Sequence, residues 1–282
     1  MKPRYRVNIS GFSYPDGTLA LKEMEFEIIS GECIGILGAN GSGKTTLLKI
    51  MDGILKGYKG YVELDGEEIR DLTPRQIYSK VGLVFQDPDD QLFASTVYED
   101  VAFGPLNMGF SEWETRERVK RALKDVEMEG LEDRRIETLS YGQKKRVCIA
   151  GLLAMGQEVL LMDEPLAGLD PLGELRMLKF LRSLNREKGV TMVIASHNVD
   201  IAPLLFDRVL VLNKGSIGLS GRPEEVFQDL FGVEGLRLRL PYIGELFWKL
   251  KNLNNIPFPL VALTVEQGRH LIVEALRSTK GI

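Results

Sequence analysis

Residues 33–46 read Cys-Ile-Gly-Ile-Leu-Gly-Ala-Asn-Gly-Ser-Gly-Lys-Thr-Thr, and this stretch decides the fold. Its opening residues form an apolar run typical of a buried strand, and the glycine-rich part after them fits the pattern G-x-x-x-x-G-K-[S/T]. Such glycines let backbone N–H groups close around a phosphate, while Lys44 reaches phosphate oxygens and Thr45 offers its hydroxyl to Mg²⁺. A helix is expected from Lys44 to about Met51. Strand, loop and helix together predict an α/β fold with a phosphate-binding loop.

An acidic pair ends another apolar run. Residues 159–162 predict a strand, and Asp163 and Glu164 follow it directly. The carboxyl ends of parallel strands are the usual place for groups that face a bound nucleotide. Asp163 is the expected Mg²⁺ partner, through water, and Glu164 is the better candidate to polarise an attacking water. Such a pair alone is more often a solvated strand end, but the phosphate loop upstream favours the functional interpretation.

The sequence contains only two histidines, and they receive different interpretations. His197 stands after the apolar run of residues 190–195, across Ser196, and so repeats the arrangement of Asp163. A side chain at a neighbouring strand end can reach the γ-phosphate and orient water, which predicts a catalytic role. His270 lies in the tail, and we expect it to be structural.

Two further residues are candidates for the nucleotide site. Gln86 follows the apolar run of residues 81–85 and opens a polar turn; a plain surface loop is the alternative. Tyr14 precedes a Pro-Asp-Gly turn, where its ring could stack on adenine. Phe12 competes with Tyr14 for this role, and a core aromatic is the alternative for Tyr14 itself.

The run Leu139-Ser140-Tyr141-Gly142-Gln143 opens an apolar helix that extends to about Met155. Serine as the N-cap is a sufficient structural explanation for part of it. The N-terminus of that helix also carries free N–H groups and partial positive charge, so it could grip a γ-phosphate. Gly142 would permit close backbone approach.

Composition excludes several classes of protein. With 282 residues and a formal charge of -4, the chain can bury a large core but is not expected to be held on nucleic acid by net charge. Cys33 and Cys148 have no spacing typical of a metal site or disulfide, which predicts buried thiols in a reducing compartment. No signal sequence is recognisable, and no segment approaches the roughly eighteen apolar residues of a membrane span. We therefore expect a cytosolic subunit, and any membrane role must come through a partner.

The order of the remaining elements predicts the domain organisation. The first thirty residues read as short strands around the Pro15-Asp16-Gly17 turn. Residues 5–10 are the first strand, and residues 24–29 are the second, which alternates apolar side chains with glutamates as in a sheet with one face in water. Continuous apolar runs further on predict a mostly parallel sheet covered on both faces. Residues 87–140 have helical spacing and read as a helical subdomain inserted into the α/β core.

The tail has its own pattern. Pro241 begins a helix with an apolar stripe from Leu240 to Leu253, and this stripe must be covered by the main domain or by another subunit. Pro257-Phe258-Pro259 breaks this helix, and Thr264 to Gln267 caps a last one. We hypothesise that the stripe contacts a twin subunit.

These motifs stand in a fixed order: the phosphate loop, Gln86, residues 139–143, Asp163-Glu164, Ala167-Gly168-Leu169-Asp170 and His197. In that order they resemble the ATP-binding subunit of an ABC transporter over roughly residues 4–225. Residues 85–93 and 99–105 look more narrowly like energy-coupling factor (ECF) importers, in particular the ATPase of cobalt uptake systems. Tyr141 stands where many transporters have glycine, a variation also seen in the ECF group.

The resemblance implies a fold and a division into domains. The fold is a P-loop ABC ATPase with a mostly parallel sheet core, an antiparallel β subdomain and the helical insert of residues 87–140. Residues 4–225 would form this domain. Residues 226–282 would be a helical extension and a candidate dimerisation region.

The resemblance also implies a mechanism. Two subunits face each other, as a homodimer or with a related ATPase. Each ATP lies between the phosphate loop of one subunit and residues 139–143, the signature run, of the other. Asp170 sits at the seam between them. A transmembrane coupling subunit docks near Gln86 to Gly109 and works with a substrate-binding membrane subunit. The chain would then be peripheral, on the cytoplasmic face of the cell membrane.

The expected site residues follow from these motifs. Catalysis is assigned to Glu164, His197 and Gln86. Mg²⁺ is assigned to Thr45, Gln86 and, through water, Asp163. The signature residues acting on the partner's ATP are Leu139, Ser140, Tyr141, Gly142 and Gln143. The ATP-binding residues are Tyr14, Gly38, Ala39, Asn40, Gly41, Ser42, Gly43, Lys44, Thr45 and Thr46.

One alternative class is a soluble ABC ATPase that acts in DNA repair or translation. Repair clamps need a long coiled coil between the phosphate loop and the signature run, and translation factors carry two such domains. Neither feature is found in the sequence. The cargo stays open between metal ions such as cobalt or nickel, a vitamin and a nucleobase precursor.

Overall fold

A computed structural model describes residues 3–230, 238–254, 256, 258 and 262–280. Eleven strands form two sheets in this part of the chain. They are β1 (Pro3–Ser13), β2 (Leu19–Leu21), β3 (Met24–Ile29), β4 (Cys33–Leu37), β5 (Lys59–Leu64), β6 (Glu67–Glu68), β7 (Val81–Val84), β8 (Val159–Asp163), β9 (Thr191–Ser196), β10 (Arg208–Asn213) and β11 (Ser216–Gly221).

The larger sheet has the order β11-β10-β4-β9-β8-β7. Neighbouring strands from β10 to β7 are parallel, and β11 joins the edge antiparallel to β10. Every residue of β4, β7, β8 and β9 is buried, as expected for strands covered on both faces. The prediction of a mostly parallel sheet is confirmed, and the carboxyl ends of β4, β7, β8 and β9 meet at one edge.

The smaller sheet is antiparallel and contains β1, β2, β3, β5 and β6. Strand β3 alternates buried and exposed residues, which confirms the prediction of one face in water. Strand β1 is longer than expected, and β2 was missed because three residues between a turn and Lys22 carry too little periodic signal. Strands β10 and β11 were likewise not identified from the sequence.

Ten α-helices occur in the described residues. They are α1 (Lys44–Met51), α2 (Pro74–Tyr78), α3 (Val97–Asn107), α4 (Glu112–Asp125), α5 (Tyr141–Met155), α6 (Pro171–Lys188), α7 (Ala202–Leu205), α8 (Pro223–Asp229), α9 (Tyr242–Asn252) and α10 (Val265–Lys280). Helices α3 and α4 lie within the predicted insert and pack on α5 through buried Val101, Val119 and Val147. In the part of the chain that the structure describes, no helix is long and apolar enough to cross a membrane.

Helix α8 spans the boundary predicted after residue 225. Val226 and Phe227 belong to the same buried cluster as the parallel sheet, and so does Leu230. The buried side chains of α8 therefore continue the main core. The division of the chain into residues 4–225 and 226–282 stays a prediction.

The apolar stripe of the tail is largely covered by the same chain. Phe247, at its centre, is 2% exposed and packs with Phe258, their ring centroids 4.7 Å apart, and with side chains of α10. Leu240 is buried in the main core, while Leu246 and Leu253 stay exposed. The prediction considered only the main domain or a second subunit, and it missed the pairing of α9 with α10. Pro257 and Pro259 lie outside the described residues.

Both cysteines are buried thiols, as predicted. Burial raises the pKa of Cys33 far above its usual range and raises that of Cys148 to about 12. His270 lies on α10 with Nδ1 3.6 Å from a Glu274 carboxylate oxygen on the same helix, a surface pairing that agrees with a structural interpretation.

Asp52 ends α1 in a buried position. It is 6% exposed, and burial raises the pKa of its carboxyl to about 7. A negative charge at a helix C-terminus is also unfavourable. Because the unfolded carboxyl ionises near pH 4, the free energy of unfolding falls as pH rises from about 4 to about 7 through this group.

We therefore expect Asp52→Asn to stabilise the protein by about 2 kcal/mol more at pH 8 than at pH 5.5. Urea unfolding at the two pH values measures this difference. Asp71→Asn, at an exposed carboxylate, serves as the control and should show no such pH dependence. An Asp52→Asn effect of equal size at both pH values would contradict the role assigned to burial.

Candidate functional site

The phosphate loop joins β4 to α1 and depends on glycine at its end. Gly43 is the N-cap of α1 with φ 106°, a left-handed conformation that side chains disfavour. A Cβ at this position would lie 2.6 Å from the Leu21 side chain and 2.8 Å from the Ala20 carbonyl oxygen. No side chain caps the N-terminus of α1. Its first N–H groups are therefore available to an anion in the loop.

Two polar side chains of the loop are buried around the same space. The Lys44 ammonium donates to the carbonyls of Gly38, at 2.8 Å, and Ala39, at 3.3 Å. Burial lowers the pKa of Lys44, and the carboxylates of Glu164 and Asp163 oppose that shift. The Ser42 hydroxyl is buried without a hydrogen-bond partner. An anionic ligand would satisfy both groups.

The oxygens of Thr45 and Asp163 meet at the edge of the sheet. The Thr45 hydroxyl donates to Asp163 Oδ2 at 2.5 Å. Burial raises the pKa of Asp163, while the Thr45 hydroxyl lowers it. Gln86 lines the same cleft as both. A hydroxyl, a carboxylate and an amide are oxygen donors of the kind that Mg²⁺ prefers, so the residues present fit this ion.

Glu164 is held in place by its neighbours on β9. Its backbone has φ 49°, unusual for a residue with a side chain, and its N–H donates to the Ala195 carbonyl. Its carboxylate lies 2.8 Å from His197 Nδ1 and accepts from the Ser196 hydroxyl at 3.1 Å. Asp163 and His197 follow neighbouring strands, as expected, and the structure adds direct contact between His197 and Glu164.

One cleft of about 380 Å³, the phosphate-loop cleft, brings together most of the residues predicted to bind ATP. Its lining includes Tyr14, Asn40 to Thr46, Gln86, Asp163 and Glu164. The Tyr14 hydroxyl lies 2.9 Å from Thr46 Oγ1, and its ring meets Phe12 edge-on. Phe12 is buried, so Tyr14 is the aromatic residue at the cleft. Stacking of Tyr14 on adenine stays a prediction.

The signature run lines a different space. Ser140, Tyr141, Gly142 and Gln143 form one wall of a cleft of about 630 Å³, the signature cleft. Asp170 lies in the same lining. Ser140 and Gln143 form a capping box, and Asp170 caps α6 by accepting from Gly173. Ser140, Gln143 and Asp170 therefore stabilise helix N-termini in their own chain, whether or not they also contact a second subunit.

The side chains of two residues of the run contact their own chain. The side chain of Leu139 is 7% exposed and belongs to the core, because the residue before the N-cap turns inward to anchor the helix. The Tyr141 ring turns back toward its own chain, where its hydroxyl donates to the Gln86 carbonyl at 3.4 Å. The surface open to a partner is therefore narrower than the five-residue motif.

Two residues near the site escaped the sequence reasoning. Ser196 contacts Glu164, and its place between a strand and His197 was the available signal. Lys145 is 1% exposed, and its ammonium binds backbone carbonyls beside Glu164. Lys145 directly follows Lys144 near the start of a helix, and nothing in this local sequence indicates that its side chain is buried.

Comparison with known proteins identifies the family. Residues 21–167 match the family model described as ABC transporter. An ABC transporter ATP-binding protein of Geobacter sulfurreducens is 55% identical over 277 residues, 98% of this chain and 99% of that protein. The energy-coupling factor transporter ATP-binding protein EcfA of Methanocaldococcus jannaschii is 47% identical over 268 residues, 94% of this chain and 95% of that protein.

Solved structures agree with this assignment. One is cbiO1 from Clostridium perfringens, described as part of the ABC transporter complex cbiONQ; it is 44% identical, with a TM-score of 0.77 over 88% of this chain and 100% of that one. Another is the ATP-binding cassette MJ0796, a dimer in a post-hydrolysis state bound to ADP and Pi; it is 28% identical, with a TM-score of 0.68 over 78% of this chain and 98% of that one. The phosphate loop, the acidic strand end and these relatives together make the chain a member of the ABC transporter family, as an ATP-binding subunit that hydrolyses ATP.

Proposed function

We propose that this chain energises an ECF-type importer by hydrolysing ATP at the phosphate-loop cleft, with Glu164 as the general base. The observation that carries the proposal is the position of the Glu164 carboxylate, which lines that cleft and is fixed by Ser196 and His197. The similarity to an ECF ATP-binding protein over nearly the whole chain supports the importer class.

ATP binding follows from the groups around the loop. The N–H groups at the start of α1 and the Ser42 hydroxyl bind phosphate oxygens, and Lys44 exchanges its carbonyl partners for the β- and γ-phosphates. Tyr14 stacks on the adenine. Mg²⁺, held by Thr45, Gln86 and, through water, Asp163, would neutralise charge on the phosphate oxygens when bound.

Hydrolysis follows from the orientation of Glu164. Its carboxylate takes a proton from the attacking water, while the contacts from Ser196 and His197 keep it directed into the cleft. The His197 side chain is 63% exposed, so it can also reach a γ-phosphate at the rim. Gln86 helps to hold water and Mg²⁺ there.

The signature cleft completes the ATP site of a second subunit. Ser140 and Gly142 lie at the N-terminus of α5, which carries partial positive charge. The phosphate-loop cleft and the signature cleft have different linings, so the ATP bound by one subunit meets the signature cleft of the other. The dimeric cassette bound to ADP and Pi supports this arrangement.

The membrane partner docks beside Gln86. A groove of about 520 Å³, the insert groove, runs past Ile54, Phe85, Gln86, Asp90 and Tyr141. Nearby on the insert, Phe93 and Phe103 are exposed and stack edge-on, 4.6 Å apart. Exposed aromatic residues of this kind are typical of protein interfaces. The peripheral position at the cytoplasmic membrane face follows from such docking.

Co-expression with candidate membrane subunits tests the importer assignment. We expect the chain to copurify with one of them in detergent, and Phe103→Asp to reduce the recovered complex at least tenfold while ATP binding is unchanged. Leu276→Asp, at another exposed apolar residue, is the matched control. A purely soluble partner or salt-sensitive nucleic-acid binding would instead support the repair or translation class.

The cargo belongs to the membrane subunits in such systems. The resemblance of residues 85–93 and 99–105 to cobalt-uptake ATPases makes cobalt and nickel the first ions to test. Uptake of radioactive Co²⁺ or Ni²⁺ by cells expressing the whole complex, compared with vitamin uptake by the same cells, would identify the class.

A further inference from the structure

A lysine is buried where α5, the signature helix that begins within residues 139–143, meets residues 164–167 after strand β8. Lys145 lies in the first turns of α5 and is among the largest fully buried side chains of the described residues. Buried lysines are rare in proteins unless their charge is satisfied. Lys145 lies beside the segment that carries Glu164, and the packing of an apolar helix does not explain why a lysine occupies this position.

All three protons of the ammonium are used by one short segment. Lys145 Nζ donates to the carbonyls of Glu164, at 3.2 Å, Pro165, at 3.0 Å, and Ala167, at 2.7 Å. Burial lowers the pKa of Lys145 to about 8, and nearby Cys148, Asp87 and Glu164 oppose the shift. The ammonium is therefore still charged at neutral pH.

That segment carries the catalytic base in an unusual conformation. Glu164 has φ 49°, which costs energy in a residue with a side chain. Strand β9 holds it from one side through the Ala195 carbonyl, Ser196 and His197. Lys145 binds the Glu164 carbonyl from the other side. The direction of the Glu164 side chain thus depends on contacts with two different elements.

Tyr141 supports Lys145 from the preceding turn. Its ring centroid lies 5.1 Å from the ammonium, and its hydroxyl reaches the Gln86 carbonyl. The ring also packs on Gly168, where a Cβ would lie 2.9 Å from it. Tyr141 and Lys145 therefore connect the loop of Gln86, the signature helix and the segment that follows Glu164.

We propose that Lys145 is a positioning residue, which fixes the backbone of residues 164–167 and so aims the Glu164 carboxylate at the attacking water. This inference rests on the proposed role of Glu164 as general base. Because Lys145 sits on the signature helix, the helix that serves one ATP site also holds the base of the other site. Tyr141 keeps the ammonium in place.

Lys145→Met removes the donors and keeps most of the volume. We expect kcat for ATP to fall about 10- to 30-fold while KM changes less than about twofold, since the phosphate-loop cleft is unchanged. Lys145→Gln, which retains a donor, should recover part of the loss. Lys144→Met is the matched control, because the Lys144 ammonium pairs with the exposed carboxylate of Asp89; this variant should leave kcat within about twofold of wild type.

A double-mutant cycle separates positioning from stability. If Lys145 acts through Glu164, Lys145→Met should have little further effect on single-turnover hydrolysis in a Glu164→Gln background. The proposal would be overturned if the double variant hydrolysed ATP more slowly than Glu164→Gln by the full factor that Lys145→Met causes alone. A rise in KM as large as the fall in kcat would also overturn it. If Glu164→Gln alone leaves turnover normal, the proposed general base fails instead, and the two outcomes are distinguishable.

Discussion

Replacing Glu164 with glutamine is expected to leave ATP binding intact and to slow hydrolysis about 10²- to 10⁴-fold, the range attributed to general-base help. Glutamine has nearly the shape of glutamate and can keep contact with Ser196 and His197, but it cannot accept a proton from water. The carboxylate is 8% exposed and lines the cleft of the phosphate loop, so its loss is not replaced by bulk solvent.

ATP turnover is measured by an activity assay, and ATP affinity is measured by calorimetry on the same protein. Glu158→Gln is the control, because Glu158 lies just before β8, at the opposite end of the strand, and its exposed side chain pairs with Arg4. Turnover by Glu158→Gln should stay within about twofold of wild type. Near-normal turnover by Glu164→Gln would refute the assignment of the base.

Much of this site could be predicted because strand ends are visible in a sequence. Gln86, Asp163 and His197 each follow a continuous apolar run, and parallel strands bring such ends to one edge. The phosphate loop is a local motif with its own strand and helix. Local patterns of this kind are independent of how distant elements pack.

The features that were missed depend on packing between distant segments. The burial of Lys145 arises because α5 lies against residues 164–167, and no residue near it in sequence signals this contact. Side chains of α10 likewise cover Phe247 of α9. The periodicity of the sequence does not indicate which helix packs against which. The inward turn of Tyr141 depends on Gln86, far away in sequence.

The tail is joined to the segment after His197 in a way that the sequence did not reveal. The Asp200 carboxylate binds the Arg239 guanidinium and accepts from the Tyr242 N–H at 2.8 Å. Arg239 in turn lies over the Tyr242 ring. The start of α9 is thereby fixed to the loop that carries His197, so the tail is attached near the catalytic edge by these contacts.

Substitution of Gly142 is expected to spare ATP binding by the isolated subunit and to reduce hydrolysis at least 100-fold, because the site it completes belongs to a second subunit. Within its own chain a Cβ at Gly142 would meet only the Leu169 side chain, at 3.3 Å, so the fold should tolerate the change. Gly142→Asp would place a negative charge against the partner's γ-phosphate. Gly151→Asp is the control, because it lies on the same helix and a Cβ there would meet no atom within 4 Å apart from the adjoining residues and backbone of that helix.

Mixing two inactive variants tests directly whether the sites are shared between subunits. Gly142→Asp lacks a functional signature run, and Lys44→Ala lacks a functional phosphate loop. A hybrid dimer has one site built from the intact phosphate loop of the first variant and the intact signature run of the second. Random mixing of homodimers should restore about a quarter of wild-type turnover, since half the dimers are hybrids with one intact site each. If the mixture stays inactive while hybrids form in sedimentation, or if Gly142→Asp loses ATP binding as a monomer, the signature run does not act across a dimer.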